Sequence, residues 1–164
     1  MSQLENGDAF PRLVVKTVGG GELTLPDALA GSFGVVLIYR GAWCPFCGAQ
    51  IADFASHKAE LDALGVKVVA LSVDSEATSA AFAAKHSFHF PMGYGADVDA
   101  LSAATGAFVN DSPHHLQPTA FTLTPDGKVL AAVYSTSATG RLVAKDLIGF
   151  VTYVKSKIAP QAAE

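Results

Sequence analysis

Tyr39-Arg40-Gly41-Ala42-Trp43-Cys44-Pro45-Phe46-Cys47 holds both cysteines of the chain, three positions apart, just past an apolar run. That run, Val35 to Tyr39, is continuous and rich in β-branched residues, the pattern of a central strand buried on both faces. With Cys44 near a helix cap, Pro45 falls close to the first helical position, where its missing N–H would have had no partner anyway. Two thiols at this spacing can close a disulfide across the first helical turn. The unpaired N–H groups and aligned dipoles of a helix N-terminus favour a thiolate there. A thiolate is the nucleophile toward disulfides and peroxides. The stretch therefore predicts strand, cysteine pair, helix and two-electron thiol chemistry. The competing reading is two buried structural cysteines, since free Cys is among the most buried residue types. A disulfide across so short a loop would constrain the unfolded chain little.

Working outward, Ile51, Phe54, Leu61 and Leu64 fit one helical stripe that stops at Gly65. Val66 to Val73 reads as a second buried strand, so strand, helix and strand form a parallel crossover unit. Upstream, Leu13–Thr17 and Glu22–Leu25 flank three glycines and predict a hairpin, followed by one helical turn over Pro26–Gly31. Downstream, Ser75 is an N-cap for a helix to about His86, and Phe88–Pro91 is a short extended piece. Asp97 to Thr105 is a short helix ended by Gly106, and Asn110–Pro113 is loop. Thr119–Leu123 and Lys128–Tyr134 flank Thr124-Pro125-Asp126-Gly127, a hairpin signal. Arg141 to Ile158 has helical apolar spacing. The fold class expected is α/β, a mixed central sheet flanked by helices, in one domain over residues 1–164. Such sheets bind ligands at the carboxyl ends of their strands, where Cys44 and Cys47 fall.

Composition agrees. Apolar residues make up 50% of 164 and charged residues 16%, as in a well-packed domain. A net charge of −4 with no run of like charges argues against nucleic acid as the main partner. The longest apolar run near a strand is far too short to span a bilayer, so no membrane partner is expected. The polar, acidic start lacks the basic and apolar regions of a secretory signal, and a cytoplasmic location is expected. In a reducing cytosol a close cysteine pair points to catalysis or metal binding before a structural staple.

Around the pair, Arg40 can add positive potential that lowers a thiol pKa, or be an ordinary surface arginine. Trp43 can shield the site and offer a platform to a partner, or anchor the core. Cys44 is expected to be the more exposed sulfur and Cys47 the one covered by the helix.

These residues resemble the AhpC/TSA (peroxiredoxin-like) branch of the thioredoxin fold over nearly the whole chain. Gly7-Asp8-Ala9-Phe10-Pro11 resembles its opening segment, and Tyr39 to Cys47 its active site. Leu71-Ser72-Val73-Asp74 resembles its second core strand, and Gln117-Pro118-Thr119-Ala120-Phe121 with Thr124–Lys128 its late strand and hairpin. Tyr134-Ser135 and Gly140-Arg141-Leu142 resemble the lead into its last helix. The resemblance implies a thioredoxin-like fold with an N-terminal hairpin extension. It implies that Pro118, cis in thioredoxin-like proteins, faces the cysteines and, with Thr119, shapes a substrate groove. It departs from the family at three positions. Cys44 stands where peroxiredoxins carry Thr or Ser, Cys47 stands at their peroxidatic position, and Pro118 occupies the place of a peroxide-polarising Arg. There is no third cysteine to resolve at a distance.

The function expected is a thiol oxidoreductase reducing peroxides, protein disulfides or both through a Cys44–Cys47 dithiol/disulfide cycle. For disulfides Cys44 attacks and Cys47 resolves; for peroxides both this order and its inverse, with Cys47 as the sulfenic acid, are open. Its electrons would come from a partner such as a thioredoxin or glutaredoxin system. No dinucleotide fingerprint follows a strand, and no cofactor is expected. Relatives associate into dimers, so a homodimer is an expectation by analogy. The alternatives are a thioredoxin-type disulfide reductase without peroxidase activity, and a metal-handling protein using the cysteines with His114 and His115.

Overall fold

The computed structural model of the chain describes residues 2–162. Nine strands and five α-helices run in the order β1 (Leu13–Thr17), β2 (Glu22–Leu25), β3 (Gly34–Ile38), α1 (Pro45–Ser56), α2 (Lys58–Ala63), β4 (Lys67–Leu71), α3 (Glu76–Lys85), β5 (Met92–Tyr94), α4 (Val98–Thr105), β6 (Val109–Asn110), β7 (His115–Leu116), β8 (Thr119–Leu123), β9 (Val129–Tyr134) and α5 (Ala144–Ala162). A short 3-10 turn, Asp27–Leu29, fills the predicted place after β2.

Seven strands form one mixed sheet in the order β2-β1-β5-β4-β3-β8-β9, and β6 and β7 pair separately. β3, β4 and β5 are parallel, with Val36 opposite Val69 and Ala70 opposite Met92. β8 runs antiparallel to β3, and β9 antiparallel to β8. The N-terminal hairpin is no separate layer: β1 pairs with β5, so the hairpin widens the sheet.

β3 is central and wholly buried, as its apolar run demands. Its alternate side chains enter different cores. Val35, Leu37 and Tyr39 pack with Ile51 and Phe54 of α1, Phe82 of α3 and Leu147 of α5. Val36 and Ile38 pack with Leu101 of α4, Phe121 and Leu123. Helices therefore cover both faces, as the α/β reading expected.

Four elements differ from the sequence reading. Asn110, expected in a loop, ends the short strand β6 and pairs with His115. The stripe from Ile51 to Leu64 is split at His57 into α1 and α2, with the His57 N–H bonded back to Phe54 (3.2 Å). Leu61 still reaches the core, so the apolar spacing survives the break and hides it. The extended piece begins at Met92, after Pro91, and is the sheet strand β5. α5 begins at Ala144 and leaves Arg141 in the preceding loop. The N-caps were legible: Ser75 Oγ accepts from Thr78 N (3.2 Å), and Asp97 Oδ1 from Ala100 N (2.9 Å).

Candidate active site

The site lies at the carboxyl end of β3, beside that of β4. After Ile38 the chain leaves the sheet, turns through Gly41 to Trp43, and enters α1 with Cys44 as N-cap and Pro45 in the first turn. Asp74, just past β4, fixes this turn: its Oδ2 accepts from the Ala42 N–H at 2.8 Å. Gly41 is required here by close approach. A Cβ on it would lie 2.7 Å from Trp43 Cδ1 and closer still to the indole nitrogen.

Cys44 and Cys47 are both free and both buried, at 1% and 0% exposure. The expected difference in exposure is absent, since both are buried; Cys44 is among the residues lining a surface cleft with Trp43, Pro45 and His86, and Cys47, in the first turn of α1, is not. The Gly48 N–H and the Cys47 N–H both bond the Cys44 carbonyl at 3.1 Å, the closing bonds of the first turn.

Two guanidiniums bracket the sulfurs. Arg141 Nη2 stands 3.0 Å from Cys47 Sγ and 3.8 Å from Cys44 Sγ. Arg40 donates its backbone N–H to Cys47 Sγ at 3.2 Å and brings Nη1 to 3.7 Å from Cys44 Sγ. Its guanidinium carbon lies 4.9 Å from the centre of the Trp43 ring, within cation–π range. Gln50 orients Arg141: its Oε1 accepts from Nη1 at 2.8 Å while its amide donates to the Leu142 carbonyl at 3.0 Å. Neither arginine is paired with a carboxylate among the described residues.

This environment treats the two thiols differently. Burial opposes a Cys44 thiolate, but hydrogen bonds from the Cys47 backbone and side chain and from Arg40 outweigh it and bring Cys44 below the ordinary thiol range. Burial dominates at Cys47 and pushes it up, against the pull of the Gly41 backbone and of Arg141. Arg141 is the functional residue that sequence reasoning missed. It lies 94 positions from Cys47, and only the β9–α5 loop folding over α1 brings them together.

The other expected residues also gather here, with corrections. Trp43 is 55% exposed and so is not a core anchor. Pro118 and Thr119 line a narrow crevice with Gln50 and Arg141. Pro118 thus flanks the site, but its peptide bond is trans: the cis bonds among the described residues precede Pro26 and Pro113. The guanidinium of Arg141, from a different loop, stands beside the sulfurs. His114 and His115 do not converge on the sulfurs as a pair. His114 turns outward to Asp99 (3.3 Å), while His115 is buried edge-on against Trp43, with ring centres 5.1 Å apart. Among the described residues no three His, Cys, Asp or Glu side chains are grouped to hold a metal, and no helix is long and apolar enough to cross a membrane.

Known proteins resemble the chain in sequence and in fold. Peroxiredoxin Bcp of Xanthomonas campestris is 29% identical over 121 residues, covering 71% of this chain and 75% of that protein. The thiol-disulfide oxidoreductase ResA of Bacillus subtilis is 29% identical over 134 residues, 81% of this chain and 69% of its own. In fold, the crystal structure of peroxidoxin BcpB from Mycobacterium tuberculosis superposes with a TM-score of 0.80 at 20% identity, over 93% of this chain and 99% of that one. The model of the AhpC/TSA family matches residues 6–132, from the opening segment into β9, with the whole cysteine turn inside the match. The chain belongs to the AhpC/TSA family and is a thiol-dependent oxidoreductase.

Proposed function

We propose that Cys44 is the attacking thiolate and Cys47 the resolving thiol in a peroxide- and disulfide-reducing cycle. The observation that carries this is the asymmetry of the pair. Cys44 is the helix N-cap, lines a cleft and lies below the ordinary thiol range, while Cys47, in the first turn, does not line it and lies above that range.

With a peroxide, the Cys44 sulfur attacks one peroxide oxygen and the O–O bond breaks. The alcohol or water leaves with a proton, and Cys44 becomes a sulfenic acid. Cys47 then attacks that sulfur, hydroxide leaves as water with the Cys47 proton, and the disulfide closes. With a disulfide substrate, Cys44 forms a mixed disulfide that Cys47 opens. In both, a thiol reductant returns the two electrons, from a partner such as a thioredoxin or glutaredoxin system. Arg40 and Arg141 favour the anionic sulfur at each stage, Trp43 offers the docking platform, Pro45 starts the helix, and Pro118 and Thr119 wall the Arg141 side. A homodimer in the cytoplasm completes the reading, supported by the exposed Phe150 and Tyr153 on α5.

A second assignment has its own support: Arg141 is closer to Cys47, the peroxidatic position of the family frame. Sulfenic acid trapping in the single variants separates the two. We expect Cys47→Ser to trap one sulfenic acid per chain at Cys44, and Cys44→Ser to trap none. The reverse pattern makes Cys47 the peroxidatic residue. Loss of insulin reduction in both variants is expected under either assignment.

A further inference from the structure

On the α3 side of the dithiol, a cleft of about 400 Å³ is bounded by Trp43, Cys44, Pro45, Ala49, Lys85 and His86. That is the size of a small-molecule site, well below a protein–protein interface. Cys44, Lys85 and His86 are among the residues that line it, and no carboxylate residue is. The His86 ring lies against α1, with Nε2 3.1 Å from where a Cβ on Gly48 would be. Gly48 in turn bonds the Cys44 carbonyl at 3.1 Å, so imidazole and thiol are one helical turn apart. Lys85 is exposed and makes no ion pair among the described residues. Burial, then the Lys85 charge, holds the His86 imidazole below its usual range, beside the exposed Lys85 ammonium. Apolar floor, two nitrogen donors and a sulfur in the wall suit a short molecule with a thiol at one end and a carboxylate at the other.

We infer that this cleft takes a small carboxylate-bearing thiol as reductant, its carboxylate against Lys85 and His86 and its sulfur at Cys44. The inference rests on the dithiol cycle proposed above and narrows its electron donor to a chemical class. The thiolate attacks the Cys44 sulfur of the Cys44–Cys47 disulfide, and the S–S bond breaks. Cys47 leaves as a thiolate, received by Arg141 and the Arg40 N–H. A second thiolate attacks the outer sulfur of the mixed disulfide and frees Cys44. Two thiols become one disulfide, and the protein disulfide gains two electrons.

The test uses the oxidised full chain with 3-mercaptopropionate, neutral 2-mercaptoethanol and cationic cysteamine. Mixed-disulfide formation at Cys44 is timed by mass spectrometry, with rates referred to thiolate concentration. The account expects 3-mercaptopropionate to exceed cysteamine about tenfold, the scale of steering by one or two local charges. Lys85→Glu, checked for fold by circular dichroism, reverses the order relative to 2-mercaptoethanol. Equal rates in the wild type overturn the inference. So does a preference that survives Lys85→Glu, which assigns it to the general field of Arg40 and Arg141. Reduction by a thioredoxin but by none of the three small thiols overturns it as well and leaves the cycle standing. If peroxide forms no Cys44–Cys47 disulfide at all, it is the cycle itself that falls.

Discussion

Cys44 and Cys47 share the reach of one guanidinium nitrogen, yet burial and hydrogen bonding drive their thiols in opposite directions. Alkylation followed against pH, each site resolved by mass spectrometry, should show Cys44 reacting from below the ordinary thiol range and Cys47 only above it. Arg141→Met should move the Cys47 midpoint higher still, because it removes an opposing charge while burial remains. A single ordinary midpoint for both sites would sink this picture. The signs also carry into stability. The depressed Cys44 contributes stability that is full above its unfolded pKa and lost as pH falls through its folded one. The raised Cys47 contributes stability that is full below its unfolded pKa and lost as pH rises through its folded one. The cysteine pair, the first-turn proline and Arg40 were legible in nine consecutive residues, because cap chemistry is local. Arg141 was not, because no local rule links a loop arginine to a sulfur 94 residues earlier.

Among the elements, the turn between β3 and α1 is held from β4, through Asp74 and the Ala42 N–H. An aspartate at a strand end reads from sequence as a turn or cap residue; here it anchors the active-site loop across a parallel pair. Asp74→Ala leaves that N–H without its acceptor and is expected to cost about 1–3 kcal/mol in a urea titration. It should also shift the emission of Trp43, the sole tryptophan of the chain. Unchanged emission would mean the turn is rigid without this bond. Helix caps and the late hairpin followed their sequence signals, since Ser75, Asp97 and Asp126-Gly127 act within a turn. The break at His57 and the position of β5 did not. The apolar stripe runs on across the break, and β5 is three residues containing a glycine, with almost no pattern of its own. The cis form expected at Pro118 came from resemblance to thioredoxins, and here the trans bond accompanies an arginine contributed by a different loop.

The whole molecule places a small, positively flanked dithiol on a rigid seven-stranded platform with packed cores on both faces. Such a platform resists motion of the sheet and leaves the first turn of α1 to make and break one S–S bond. The parallel pair β3-β4 followed from two buried apolar runs around a helix. The hairpin joining the sheet edge depended on β5, whose pairing the sequence does not display. The central claim is that the two sulfurs close on each other. Its most direct test is a peptide map of the wild-type chain after one equivalent of hydrogen peroxide, with free thiols blocked before digestion. The account predicts one peptide spanning Cys44 and Cys47, lighter by two hydrogens and unblocked at both residues. Sulfinic or sulfonic acid at one cysteine with the other still a free thiol would contradict it.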